Sequence, residues 1–112
     1  KWTVTFHSDA VESEIQAMPD GFLARFVRYV ERMEIYGPAL GMPHARAMGD
    51  GLFDLRLKAA EGIAEFYCTV VNRKIAFLYS FIKKTDKPPP REVKVARQRM
   101  KEHQHAWQPA TV

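Results

Sequence analysis

The sequence predicts an α+β fold in which helices pack on one face of an antiparallel sheet. Apolar residues between positions 9 and 36 recur at helical spacing, whereas those between 52 and 82 alternate with polar residues or form an apolar run, as strands do. Turn signals divide this second region into three consecutive strands, which is typical of an antiparallel meander. With a strand before the helices and a helix after the meander, the predicted order is β-α-α-β-β-β-α.

The first third of the chain gives one strand and two helices. Residues 1–6 alternate apolar and polar side chains, which predicts a strand. Ser8 or Asp9 caps the start of a short helix that runs to about Met18, and a Pro-Asp-Gly break ends it. A second helix covers about 20–36, where Gly37 and the proline after it stop the helical pattern. We expect residues 38–50, rich in Gly, Pro and Ala, to form a loop.

Three strands and a helix follow. Residues 52–58 alternate strictly, residues 63–71 come after a glycine-containing turn, and residues 74–82 are apolar on both faces, as in a central strand. The two residues between the last pair of strands, Asn72 and Arg73, predict a hairpin turn because Asn tolerates positive φ. After a run of prolines, an apolar stripe at helical spacing predicts a helix over 91–105.

Length and composition indicate a small globular protein. With 112 residues, we expect a single domain over 1–112, with 106–112 as a frayed tail. The longest apolar run, 75–82, is too short to cross a bilayer, so no membrane partner is expected. The single cysteine, Cys68, excludes an internal disulfide and favours the reducing cytoplasm.

Positive charge is concentrated near the C-terminus. Residues 80–103 contain eight basic and three acidic residues, a net +5, so the rest of a chain with an overall charge of +4 carries −1. Such a block attracts phosphate or an acidic protein, and it also serves plain solubility. Its first lysines, Lys83, Lys84 and Lys87, lie where the apolar strand ends, beside the proline run.

Alternation places Asp54, Arg56 and Lys58 on one face of a strand, and Glu65 and Tyr67 on a face of the next strand. One interpretation is a half-solvated antiparallel sheet. The other is that Arg56 and Lys58 supply fixed positive charge beside a phosphodiester, whose reaction concentrates negative charge on phosphate oxygens. In that case Tyr67 is a candidate for stacking on a base.

The histidines do not predict a metal site, because none has ligand spacing with a carboxylate or cysteine partner. His44, in the loop before the basic strand, is a candidate general acid or base, although a plain loop histidine is the simpler interpretation. Cys68 falls on the core side of its strand and is expected to be an inert buried thiol.

Several stretches in a fixed order also form a recognisable series. Residues 51–56 read G-L-F-D-L-R and match the pattern G-L-x-E-L-R with Asp for Glu. Residues 81–89 read F-I-K-K-T-D-K-P-P and match a strand end of the type F-x-K-K-T-x-K-T-P. Glu92, Ala96 and Arg99 match a helix of the type E-I-x-x-A-x-x-R. In these features the chain resembles the phage-derived HigB-like branch of the RelE/ParE toxin superfamily.

The resemblance implies a RelE-like fold and the toxin of a type II toxin–antitoxin system, a ribosome-dependent mRNA endonuclease that needs no metal or other cofactor. Its reaction would be attack of a ribose 2′-hydroxyl on the adjacent phosphate. The implied partners are the ribosome with its mRNA and a small HigA-like helix-turn-helix antitoxin. The alternatives are a non-catalytic module that binds the ribosome or the antitoxin, and a ParE-like inhibitor of DNA gyrase.

The resemblance, together with the charge and alternation patterns above, predicts a catalytic set and an RNA-binding set. The catalytic set comprises Arg56, Lys58, Lys83, Lys84, His44 and the position of Glu65, with His103 and His105 as weaker acid–base candidates. The RNA-binding set comprises Lys83, Lys84, Lys87, Arg91, Lys94 and Tyr67.

Glu65 departs from the pattern, because the resemblance expects arginine at this position of the segment Gly-Ile-Ala-Glu-Phe-Tyr. A carboxylate there would repel a phosphate. Three explanations stay open: the motif is offset by a residue, the protein is inactive, or the glutamate is a detoxifying substitution.

Overall fold

The computed structural model describes residues 1–41, 45–84 and 90–107, so the predicted site residues His44 and Lys87 lie outside the described residues. Its elements, in chain order, are β1 (Thr3–Phe6), α1 (Asp9–Gln16), α2 (Asp20–Gly41), β2 (Arg46–Gly49), β3 (Leu52–Ala59), β4 (Gly62–Val71), β5 (Lys74–Lys83) and α3 (Pro90–Trp107). None of the described helices is long and apolar enough to cross a membrane. The predicted frayed tail begins inside α3, and residues 108–112 are outside the described part.

The strands form one five-stranded sheet in the order β1-β5-β4-β3-β2. The predicted α+β class is confirmed, and the architecture is compatible with a RelE-like fold. β2 to β5 pair in antiparallel fashion, but β1 pairs parallel with β5, so the prediction of a purely antiparallel sheet is wrong at this edge. The reason is that α1 and α2 carry the chain across the sheet, which places β1 beside the last strand instead of the next one.

The predicted order also lacked one strand, because β2 lies in the segment that was expected to be a loop. Its four residues, Arg46 to Gly49, are mostly exposed and carry no apolar alternation. They pair with β3 only as far as Asp54, with a bulge between Ala47 and Gly49. A strand this short is defined by its partner and not by its own sequence pattern.

The two faces of the sheet have different neighbours. On one face, the α1–α2 face, Leu55, Phe66 and Phe77 pack in a common core with the two N-terminal helices. This confirms the predicted packing of helices on one face for α1 and α2. On the opposite face, the α3 face, Tyr67 and Leu78 form a second, smaller core with apolar residues of α3. Part of the α3 face is left for polar side chains.

The N-terminal helices are positioned by a cap and by aromatic packing. The Ser8 hydroxyl accepts a hydrogen bond of 3.2 Å from the Val11 amide, so Ser8 is the cap of α1 among the two predicted candidates, Ser8 and Asp9. In α2, the Phe26 ring stacks on Phe66 with ring centroids 4.7 Å apart. α2 extends beyond its predicted end but is kinked at Gly37, whose φ of 81° and ψ of 177° are not helical. Glycine suits this position because a Cβ there would lie 2.7 Å from the Trp2 ring.

Candidate functional site

Strand register gathers charged residues from four strands on the α3 face. Arg56 of β3 pairs with Glu65 of β4, and Asp54 of β3 pairs with Arg46 of β2. Lys83, at the end of β5, pairs with Ile63, two residues before Glu65 on the same side of β4. We refer to Arg46, Asp54, Arg56, Glu65 and Lys83 together as the charged cluster.

Glu65 lies at the centre of the charged cluster and is fully buried, at 0% exposure. Its Oε2 lies 2.6 Å from Lys83 Nζ, and its Oε1 lies 3.7 Å from Arg56 Nε and 3.9 Å from Arg46 Nη2. A buried carboxylate is tolerated only where cations and hydrogen bonds compensate its charge. The three neighbouring cations therefore compensate the buried negative charge of Glu65.

The faces of β4 test the explanation that the motif around Glu65 is offset by one residue. The neighbours of Glu65 in β4, Ala64 and Phe66, are both buried in the core with α1 and α2. Glu65 alone of these three residues faces Arg56 and Lys83. The acidic residue therefore occupies the position on the charged face, and the offset explanation is not needed.

Asp54 is the second buried acid of the cluster, also at 0% exposure, and its Oδ2 lies 2.9 Å from Arg46 Nη2. Burial, followed by the neighbouring Glu65 carboxyl group, raises the pKa of Asp54 to about 7. Burial also tends to raise the pKa of Glu65, but the neighbouring Asp54 carboxyl group and the Lys83 ammonium group outweigh it, so that this pKa lies below its ordinary value. Between the two pKa values the pair thus holds one proton, on Asp54, and one negative charge, on Glu65.

Tyr67 does not have the role that the sequence predicted. Its side chain is 1% exposed and packs beneath α3, with its ring centroid 5.8 Å from that of Phe81. Burial, with the nearby Glu65 and Asp54 carboxylates, raises the pKa of Tyr67 above its ordinary value. The ring face is not available to a base, so the predicted stacking role is wrong. Sequence alternation gave the correct face but not the position of α3 on it.

The remaining predicted site residues lie around the charged cluster or away from it. Lys58 and Lys84 are exposed near the ends of β3 and β5. Arg91 and Lys94 line a shallow depression of about 390 Å³ along α3. The His103 ring lies 6.4 Å from the His7 ring, where burial lowers the pKa of His103.

A second basic feature, which we call the α2–β3 cleft, lies between helix α2 and strand β3. Its volume is about 570 Å³. It is lined by Arg25, Arg28, Tyr29, Arg32, Arg56, Leu57 and Lys58. The sequence pattern does not predict this cleft, although the spacing i, i+3 and i+7 of three arginines in a predicted helix indicates that they share one side.

Gly62 fixes the approach of β4 to the end of β5. Its φ is +130°, and a Cβ there would lie 2.7 Å from the backbone oxygen of Lys83. We expect Gly62→Ala to lower the free energy of unfolding by about 2 kcal/mol, because the side chain requires both a strained φ and a shift of the Lys83 backbone. Urea unfolding measures the difference.

A matched control for this substitution is Gly21→Ala in α2, where the nearest atom to the new Cβ is a Glu61 carboxylate oxygen at 3.7 Å. Alanine inside a helix is expected to be neutral or stabilising by up to about 1 kcal/mol. Equal effects of the two substitutions would contradict the role assigned to Gly62.

Comparison with known proteins gives one family. Residues 13–101 match the family described as Phage derived protein Gp49-like (DUF891). The matched region begins in α1, ends in α3 and includes the whole charged cluster and the α2–β3 cleft. No curated protein matches the chain.

Proposed function

Since this chain belongs to the Gp49-like family of phage-derived proteins, which is associated with toxin–antitoxin systems and related to RelE-like toxins, we propose that it is a ribosome-dependent mRNA endonuclease of the HigB-like branch. The family relationship supports a toxin with an antitoxin partner. The proposal adds the reaction, the ribosome as the place where mRNA is cut, and a HigA-like helix-turn-helix antitoxin as the partner in the cytoplasm.

The observation that supports the reaction is the convergence of three cations on one face of the sheet. Arg46, Arg56 and Lys83 all lie within 4 Å of Glu65, and burial raises the pKa of Asp54 to about 7. With Asp54 protonated, three positive charges face one negative charge, so the charged cluster attracts phosphate even though it contains two acidic residues. Ionisation of Asp54 would halve the net positive charge of the cluster.

In the proposed reaction, the ribose 2′-oxygen attacks the adjacent phosphorus while the bond from phosphorus to the 5′-oxygen breaks. The products are a 2′,3′-cyclic phosphate and a free 5′-hydroxyl. Negative charge grows on the non-bridging phosphate oxygens, and fixed cations such as Arg56 and Lys83 stabilise it. The 2′-hydroxyl gives up a proton and the departing 5′-oxygen takes one, and His44 remains the predicted acid–base group for these transfers.

Glu65 is a positioning residue in this proposal. Its contact of 2.6 Å with Lys83 Nζ fixes the ammonium group at the end of β5, and its attraction for Arg56 orients the guanidinium on β3. Preorganised charges stabilise a transition state without a reorganisation cost at the moment of reaction. The glutamate therefore offsets some positive charge but fixes the position of the rest.

We expect Arg56→Gln to lower the rate of mRNA cleavage by about 100-fold, as removal of one charge-stabilising donor does in other active sites. The measurement is primer-extension mapping of mRNA after induction in cells that lack the antitoxin. Lys101→Gln, which removes an exposed cation on α3, is the control and is expected to cleave like the parent chain.

Two outcomes would overturn the proposal. Binding to ribosomes with no cleavage by the parent chain would indicate a non-catalytic module. Induction of DNA damage in place of translation arrest would indicate inhibition of DNA gyrase.

A further inference from the structure

The α2–β3 cleft contains five cations and no acid among its lining residues. Arg25, Arg28 and Arg32 occupy successive turns of α2, and at 1.5 Å per residue they span about 10 Å of the helix. The opposite wall is β3, which contributes Arg56 and Lys58. Arginine presents several donors in a planar fork that suits phosphate oxygens. The cleft is therefore a groove with cations along both walls.

The groove leads to the charged cluster. Arg56 lines the cleft, and its Nε also lies 3.7 Å from Glu65 at the centre of the cluster. β2 pairs with β3 only up to Asp54. Within the described residues, the second half of β3 therefore has no neighbouring strand on the β2 side. There the Arg25 guanidinium donates a hydrogen bond to the Lys58 backbone oxygen and holds α2 against the strand.

We infer that the α2–β3 cleft binds the sugar–phosphate backbone of single-stranded RNA, next to the phosphate that the charged cluster holds. The inference rests on the proposed function, because Arg56 is the residue that the two sites share. In this arrangement one strand passes from the cluster over the edge of β3 and into the cleft. Arg28 and Arg32 then contact phosphates outside the cleaved bond.

RNA suits the cleft better than an acidic peptide does. A peptide helix docks through apolar anchors spaced along a hydrophobic groove. The cleft provides only Leu57, which is 4% exposed, and the half-buried Tyr29 as apolar surface. One aromatic ring among arginines is instead typical of surfaces that bind single strands, where a base stacks on the ring and cations follow the backbone.

The test compares two double variants of the full chain. Arg28→Gln with Arg32→Gln removes two cleft cations, and Lys1→Gln with Lys101→Gln removes two exposed cations outside the cleft lining. The probe is a fluorescein-labelled 12-nucleotide single-stranded RNA, and its affinity is measured by anisotropy over a series of salt concentrations. Circular dichroism and urea unfolding confirm that both variants fold.

We expect the cleft variant to bind about tenfold more weakly near 0.1 M salt, with a log–log salt slope shallower by about 1.4, because each phosphate contact on a single strand contributes about 0.7. The control variant is expected to change neither quantity. Equal binding by the two variants would overturn the inference. So would loss of binding to an acidic antitoxin peptide with RNA affinity unchanged.

The same variants separate this inference from the proposed function. If the cleft variant keeps its RNA affinity while the parent chain cleaves mRNA in cells, the cleft inference fails and the endonuclease stands. If RNA binding depends on Arg28 and Arg32 but the parent chain cleaves no mRNA, the endonuclease proposal fails and the cleft remains an RNA-binding site.

Discussion

Glu65→Ala is expected to lower the free energy of unfolding by about 3 kcal/mol, because removing one partner of a buried ion pair leaves the other charge uncompensated. Lys83, whose side chain is 12% exposed, would lose the carboxylate 2.6 Å from its ammonium group. Arg56 and Arg46 would lose part of their attraction at 3.7 and 3.9 Å. Urea unfolding at pH 7.5 gives the value.

The control is Glu61→Gln, an exposed acid in the turn before β4, for which we expect a change within about 0.5 kcal/mol. A second control separates lost charge pairing from lost volume. Glu65→Leu combined with Lys83→Met removes both charges, and such apolar replacement of a buried pair is often nearly neutral. A double variant as unstable as the sum of its single variants would contradict the pairing of Glu65 with Lys83.

The sequence carries much of the information about the central strands. Alternation correctly placed Asp54 and Arg56 on one face of β3, because side chains of a strand alternate whatever lies around them. The hairpin predicted at Asn72 and Arg73 is confirmed, with φ values of 49° and 63°. These are local rules, and they hold because the meander joins neighbours in the chain.

Features that join distant segments could not be predicted in the same way. Arg46 belongs to the charged cluster through a four-residue strand with no pattern of its own. Tyr67 is buried by α3, which arrives from about 30 residues later in the chain. The α2–β3 cleft requires the docking of α2 on β3, and the Lys83 that compensates the charge of Glu65 comes from another strand. Each depends on tertiary packing, which periodicity does not encode.

Asp54 is expected to make the folded state more stable at pH 5 than at pH 7.5. Its pKa is about 7 in the folded chain, against an ordinary value of 3.8. Between these two pKa values the folded chain binds more protons than the unfolded chain, so the free energy of unfolding falls as pH rises. Above pH 7 the contribution of Asp54 to the free energy of unfolding is constant. Glu65 acts in the opposite direction, because its pKa is lowered and its stabilisation is lost only as pH falls below about 4.5.

Asp54→Asn tests this titration, because the amide keeps the shape of the protonated acid. Its oxygen accepts from Arg46 as the carboxyl oxygen does, its NH₂ group replaces the protonated hydroxyl as a donor, and it has no charge to gain. Relative to the parent chain, the variant is expected to gain about 3 kcal/mol of unfolding free energy between pH 5 and pH 8, since each pKa unit corresponds to about 1.36 kcal/mol. The free energy of unfolding is measured against pH by urea unfolding for both chains. The difference between the two curves removes the contribution of His103, which is present in both chains. A difference that stays constant from pH 5 to 8 would show that Asp54 is ionised throughout, and the positive excess assigned to the charged cluster would then be one charge too high.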